Sequence, residues 1–389
     1  MRAVVVIDGE HYVSVVRDAL VELPYDVKGV FLAGGTEKLR GGEDYGVPLV
    51  RDFDGADVVV DLSDEPVLDP PARFRLASRA LAAGIPYVGA DFRFDPPAFE
   101  PFALPSLAVI RTGKRVGKTA VTGHVARLLA RDRDVVVVAM GRGGPAEPEL
   151  IEAPPTVSTL LELSHAGRHA ASDHLETAAV TGVVTIGCRR AGGGLAGAVN
   201  TSNVLAGAQL AASREPDLVV FDGSGAAIPP IAVDRRILVV GAGQDATAYL
   251  NAYRVLISDL VVVVGGADVA GIPALKEVPV LSVDLRLRPL EPLDGRRTAV
   301  FTTGPAPTAH LDAEVVGVSR NLADRPRLRE DLAHLDAEVY LVELKAAAID
   351  VVAEAARERG AELVLAANDV VSDELDDELA RLVPAPVRA

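Results

Sequence analysis

The segment Gly113-Lys114-Arg115-Val116-Gly117-Lys118-Thr119 sets two glycines, a lysine and a hydroxyl in the pattern that cradles phosphates. The apolar run 107–111 leads into it, and Ala120-Val121-Thr122-Gly123-His124-Val125-Ala126 continues it with helical spacing. Glycine at 113 and 117 lets backbone N–H groups turn inward, where a side chain would block the phosphates. The start of a helix adds partial positive charge. Lys118 is then spaced to reach the outer phosphates, and the Thr119 hydroxyl to ligate Mg²⁺. The nucleotide-binding residues expected are Gly113, Lys114, Arg115, Val116, Gly117, Lys118 and Thr119. The match departs from G-x-x-x-x-G-K-[ST] at Thr112, which stands at the first glycine. A chance Gly-Lys-Thr is the alternative, but two of the chain's few lysines crowd this window.

A phosphate loop needs a second acidic group for the metal. Asp217-Leu218-Val219-Val220-Phe221-Asp222 offers one, with Asp222 closing an apolar strand before Gly223-Ser224-Gly225. Carboxylates at the carboxyl ends of parallel strands sit in the crevice where such sheets bind ligands. The plainer reading is an ordinary Asp-Gly turn. The base-reading Asn-Lys-x-Asp motif of many GTPases is absent, which favours ATP.

Met140-Gly141-Arg142-Gly143-Gly144-Pro145 and Gly187-Cys188-Arg189-Arg190-Ala191-Gly192 each set arginine beside glycine at a strand end. Guanidinium forks and exposed N–H groups there suit a polyanionic substrate, although solvated loop arginines would look the same. His165, His169 and His174 lack the glutamate of a His-Glu-x-x-His site and read as polar or substrate-lining residues. Cys188, the single cysteine, cannot close an intrachain disulfide.

These residues need a scaffold. Short Val/Ile/Leu runs at 2–7, 28–33, 57–61, 107–111, 134–140, 183–187, 217–222, 236–241 and 259–264 alternate with helical spacing at 117–131, 172–181, 200–213, 246–257, 326–336 and 347–359. Continuous apolar strands of this kind belong to parallel sheets covered on both faces. The fold class expected is α/β: a P-loop NTPase-type parallel sheet domain preceded by a smaller Rossmann-like α/β domain. The proline-rich 94–105 marks a linker, and 285–292 a weaker break. The domains expected are 1–100, a catalytic 101–290, and 291–389, either a region of its own or an extension of the catalytic domain.

The 389 residues carry a net charge of −16. That excess of acid argues against general binding to nucleic acid or anionic membrane. No apolar run nears the ~18 residues of a membrane span, and Asp8 interrupts the start too early for a signal peptide. A cytoplasmic protein is expected.

Together the motifs resemble the cyclic 2,3-diphosphoglycerate synthetases. The resemblance rests on Ile7-Asp8-Gly9-Glu10-His11-Tyr12, Gly34-Gly35-Thr36-Glu37-Lys38-Leu39, Asp61-Leu62-Ser63-Asp64-Glu65-Pro66 and Tyr87-Val88-Gly89-Ala90-Asp91-Phe92. It continues through the phosphate loop, the Arg142 and Arg189-Arg190 segments, Ser172-Asp173-His174-Leu175-Glu176-Thr177 and Phe221-Asp222-Gly223-Ser224-Gly225. It implies ATP-driven closure of a phosphoanhydride within 2,3-bisphosphoglycerate, giving the cyclic compound, ADP and phosphate. On that reading Lys118, Asp222, Arg142, Arg189 and Arg190 are catalytic. Thr119, Asp222 and Glu147 (or Glu149) hold Mg²⁺, and the assembly is a homo-oligomer, taken as a dimer. The rivals are another P-loop small-molecule enzyme, such as a phosphoglycerate kinase or a dethiobiotin-synthetase-like ligase, and a partner-switching ATPase. The last lacks its signature lysine at position 113 here.

Overall fold

Val135–Gly141 is buried at all seven positions, as a strand must be when helices cover both faces of its sheet. The computed structural model describes the chain except residues 36–37, 66, 115, 166–172, 305, 345–348 and 384–389. Two sheets organise it. The first has five strands, in the spatial order Asp26–Gly34, Arg2–Asp8, Val58–Asp61, Tyr87–Val88, Arg93–Phe94. All pair in parallel except the last. Its helix Pro70–Ala82 starts where Asp69 accepts the Ala72 N–H at 2.8 Å and proline fills the first turn.

The second sheet has 13 strands. The strand leading into the phosphate loop, Ser106–Arg111, lies between Leu218–Asp222 and Arg235–Gly241. Val135–Gly141 and Val184–Ala191 extend the sheet on one side, and Leu260–Val264 and Val280–Pro289 on the other, all in parallel. The carboxyl ends of Ser106–Arg111, Leu218–Asp222, Val135–Gly141 and Val184–Ala191 therefore stand side by side. The architecture is α/β, a P-loop NTPase-type sheet preceded by a smaller Rossmann-like one.

Residues 95–105 run without helix or strand apart from a bridge of Glu100 to Ile231. Most of the weaker break at 285–292 lies in the continuous strand Val280–Pro289. The first half of that strand pairs in parallel with Val261–Val264, and the second half pairs antiparallel with Ala366–Val371. Leu285-Arg286-Leu287-Arg288 alternates with the two-residue period of a strand, and Leu287 is buried. The expected helix 200–213 shortens to Val204–Ala212, because Thr201–Ser202 pairs with Arg190–Ala191 instead. The expected 246–257 shortens to Asn251–Leu256, because Asp245 caps a turn through the Thr247 N–H at 2.7 Å.

The helix after the phosphate loop, Lys118–Leu129, buries Val121, Val125 and Leu129. It shares that core with Val370, Leu375 and Leu379 from the C-terminal strand Glu362–Val371 and helix Asp373–Leu382. Arg127 and Arg288 both reach Asp369, at 2.5 and 2.8 Å. Among the described residues no helix is long and apolar enough to cross a membrane.

Candidate active site

Gly117 precedes the helix with φ +80°, in the left-handed region that disfavours a side chain. A Cβ there would meet Val264 Cγ1 at 3.0 Å and Leu285 Cδ1 at 3.1 Å. At Gly113 a Cβ would lie 2.6 Å from Gln244 Nε2. Gln244 itself takes a hydrogen bond from the Thr112 hydroxyl, so Thr112 replaces the first glycine while tying the loop to the neighbouring strand end. Val116 is buried against Gly241, and Lys114 is exposed. Arg115 lies outside the described residues.

Lys118 and Asp222 form a buried ion pair, with Nζ against both carboxylate oxygens, and Thr122 donates to Asp222 Oδ1 at 2.6 Å. The side chains are 3% and 1% exposed, so the pair is closed to water. Thr119, one residue on, is half-buried and lines a small cavity with Glu176, Glu343 and Asn368.

Beyond Asp222 the chain turns at Ser224–Ala227, and three arginines gather on that turn. Arg111 Nε donates to Gly225 O at 2.9 Å, and Arg190 Nη2 donates to Ser224 O at 2.8 Å. A Cβ on Gly225 would stand 2.8 Å from Arg142 Nη2 and 3.1 Å from Arg190 Nη2. Burial lowers the pKa of Arg111 and of Arg190, and mutual repulsion with Arg142 adds to it in both. Three like charges gathered there, with Arg142 itself exposed, make the strand-end crevice locally positive. Asp173, at the start of helix Asp173–Thr181, faces the same crevice; the Cβ position of Gly141 lies 3.3 Å from its Oδ2. Burial raises the Asp173 carboxyl above the usual carboxylate range. Lys118 and Arg111 oppose that rise, and Asp222 adds to it.

Not every expected residue joins this group. Arg189 is exposed, its N–H held by Asn203 Oδ1 at 2.7 Å. Strand alternation sends its side chain to the face opposite Arg190. Glu147 is exposed in the segment between Gly141 and Glu149 and makes none of the contacts described for Asp222 or Thr119. Glu149 instead pairs with the buried His174 at 3.3 Å, beneath the strand carrying Gly187. The His165 side chain and His169 lie outside the described residues. Arg111, Asp173 and Gln244 were given no role from sequence, although Asp173 lies in one of the motifs quoted there. Arg111 had one signal, an arginine closing the strand before a phosphate loop, and Asp173 was an acid in a helix's first turn.

The polar strand ends of the first sheet satisfy themselves. Asp8 takes the N–H groups of Glu10 and Asp64, at 2.9 and 2.8 Å, and His11 Nδ1 at 2.8 Å. Asp61 takes the Ser63 N–H at 2.9 Å and the Tyr87 hydroxyl at 2.8 Å.

Three family models match the chain. They are the cyclic 2,3-diphosphoglycerate synthetase N-terminal domain over residues 2–95, the P-loop domain over 106–276 and the C-terminal domain over 289–369. A cyclic 2,3-diphosphoglycerate synthetase of Rubrobacter xylanophilus is 47% identical, with 100% of this chain and 98% of the relative covered. One of Methanothermobacter thermautotrophicus is 39% identical over 97% of this chain and 95% of its own length. Among solved structures, LpxK from Aquifex aeolicus in complex with ATP aligns with 73% of this chain and 90% of its own at 14% identity. Its TM-score is 0.41, a likeness too remote to bear on the site. The identity along the whole length, in all three parts, settles the family: this chain belongs to the cyclic 2,3-diphosphoglycerate synthetases.

Proposed function

We propose that the chain joins the two phosphates of 2,3-bisphosphoglycerate into a cyclic anhydride at the expense of ATP, releasing ADP and phosphate. The observation that carries this reading is the gathering of Arg111, Arg142 and Arg190 on the turn that follows Asp222, beside Lys118. A phosphate loop alone serves any nucleotide enzyme. A three-arginine clamp next to it suits a substrate that brings several negative charges of its own.

In this mechanism Lys118 exchanges the Asp222 carboxylate for phosphate oxygens of ATP, leaving Asp222 free. Arg111, Arg142 and Arg190 hold the two substrate phosphates together, an orientation effect worth several kcal/mol and at best about 7–11. One substrate phosphate attacks the γ-phosphorus in line, breaking its bond to ADP. The second phosphate then attacks the phosphorus of the first, which now carries the γ-phosphoryl group, and expels that group as inorganic phosphate as the ring closes. Lys118 and the N–H groups of the loop stabilise the charge that gathers on the transferring oxygens.

Mg²⁺ suits the oxygen donors present: the Thr119 hydroxyl, the Asp222 carboxylate and Asp173 close by. Among the described residues no group of three or more His, Cys, Asp or Glu stands ready for a metal. That agrees with an ion that takes one or two carboxylates and completes its shell with phosphate oxygens and water. When bound it neutralises phosphate charge. Asp173 takes the place first given to Glu147, and Arg111 that of Arg189. A homodimer is the proposed assembly, and 1–100, 101–290 and 291–389 are the proposed domains. ADP release measured with and without 2,3-bisphosphoglycerate tests the reading. Release is expected only with the bisphosphate and is expected to vanish in Lys118→Ala; equal release in its absence would leave a plain or partner-driven ATPase.

A further inference from the structure

Arg254, on helix Asn251–Leu256, is 2% exposed, and among the described residues no carboxylate pairs with it. Its guanidinium is spent on backbone carbonyls, apart from a long 3.5 Å contact of Nη1 with Asn251 Oδ1. Nη2 donates to Ala226 O at 2.6 Å, and Nη1 donates to Leu195 O and Leu250 O, each at 3.1 Å. Nε–H is buried without an acceptor. Burial pushes the group down to about 10. A buried charge left without a counter-charge is costly, and apolar side chains of similar volume generally serve a core as well.

The three carbonyls belong to particular places. Ala226 lies in the turn that displays Gly225 O to Arg111 and Ser224 O to Arg190. Leu195 lies in the glycine-rich loop after the Arg190 strand. The two loops touch: Ile228 N–H donates to Gly197 O at 2.9 Å, and a Cβ on Gly197 would lie 3.0 Å from Ala226 O. Arg254 thus grips from the core side the same turn that Arg111 and Arg190 grip from the crevice side, with Arg142 beside it.

We propose that Arg254 is a positioning residue for the bisphosphate. It fixes the Ser224–Ala227 turn against the Leu195 loop, so that Arg111, Arg142 and Arg190 meet the two phosphates in one geometry. Its unpaired charge lies behind the turn, and the bound phosphates in front supply the opposite sign that the fold omits. The phosphate loop is held by other contacts, through Gln244 and Val116, so ATP binding does not depend on Arg254. This inference rests on the clamp being the bisphosphate site.

The test is steady-state kinetics of the full-length Arg254→Met and Arg254→Lys variants, with Arg190→Met alongside and thermal melting of each. Arg254→Met is expected to raise KM for the bisphosphate by about tenfold or more while KM for ATP stays within about twofold. Arg254→Lys keeps the charge but fewer of the hydrogen bonds, and is expected to recover part of the loss. If Arg254→Met does not fold, Arg254→Lys decides: a rise in bisphosphate KM alone supports the role, and parent-like values overturn it. Equal rises in both KM values, or none, while Arg190→Met raises only that of the bisphosphate, would remove Arg254 and keep the clamp. If Arg190→Met also leaves the bisphosphate KM unchanged, the clamp itself is misplaced.

Discussion

Lys118 and Asp222 show how one residue pair serves both fold and chemistry. Buried together, they satisfy each other without water, so removing one partner leaves a lone charge in the core. Asp222→Ala is expected to cost about 3–5 kcal/mol, seen as a lower denaturant midpoint, whereas Lys118→Met with Asp222→Leu should restore most of that and no activity. Asp173 behaves in the opposite sense. Its carboxyl is raised from the ordinary 3.8, so its protonated form is the one the fold favours. That contribution is complete below the ordinary value and is lost as pH rises through the raised one. Asp173→Asn should therefore melt higher than the parent at pH 7, with the gap closing towards pH 4, and should turn over more slowly. A variant that melts lower at pH 7 would contradict the burial account. At this scale the sequence was legible where a motif is contiguous, as at 113–119. It was not legible where one residue of strand parity decides, as between Arg189 and Arg190.

Elements turn these residues toward each other. The phosphate loop closes because Gly117 takes a left-handed backbone where an added Cβ would lie within 3.1 Å of Leu285 and Val264. Gly117→Ala should lose about 1–3 kcal/mol and most ATP turnover, measured by melting and ADP release; parent-like values for both would mean the loop relaxes freely. Strand positions were readable from valine and leucine runs, because burial on both faces leaves no polar alternation. Strand neighbours were not. Arg111 joins Arg142 and Arg190 only because Leu218–Asp222 inserts between Ser106–Arg111 and Val135–Gly141. That 285–289 is strand was hidden for the same reason: its antiparallel partner, Ala366–Val371, lies far down the chain.

Across the whole molecule the C-terminal strands complete the sheet that carries the phosphate loop, and the last helix covers the other face of its helix's core. Leu379 is fully buried there, in one cluster with Val125 and Leu129. Leu379→Ala is expected to cost about 2–5 kcal/mol and to lower the melting of the catalytic sheet itself. A separate low-temperature transition with the rest unchanged would instead mean that the C-terminal part melts alone. A chain of net charge −16 that gathers three arginines at one crevice concentrates its positive potential where a polyanion must sit. The most direct test of that account is ³¹P NMR of the protein with ATP, Mg²⁺ and 2,3-bisphosphoglycerate, beside a tube without the bisphosphate. The account predicts new upfield anhydride resonances distinct from those of the nucleotides, appearing in step with ADP and phosphate in the first tube only. ADP and phosphate in both tubes, with no new anhydride signal, would contradict it.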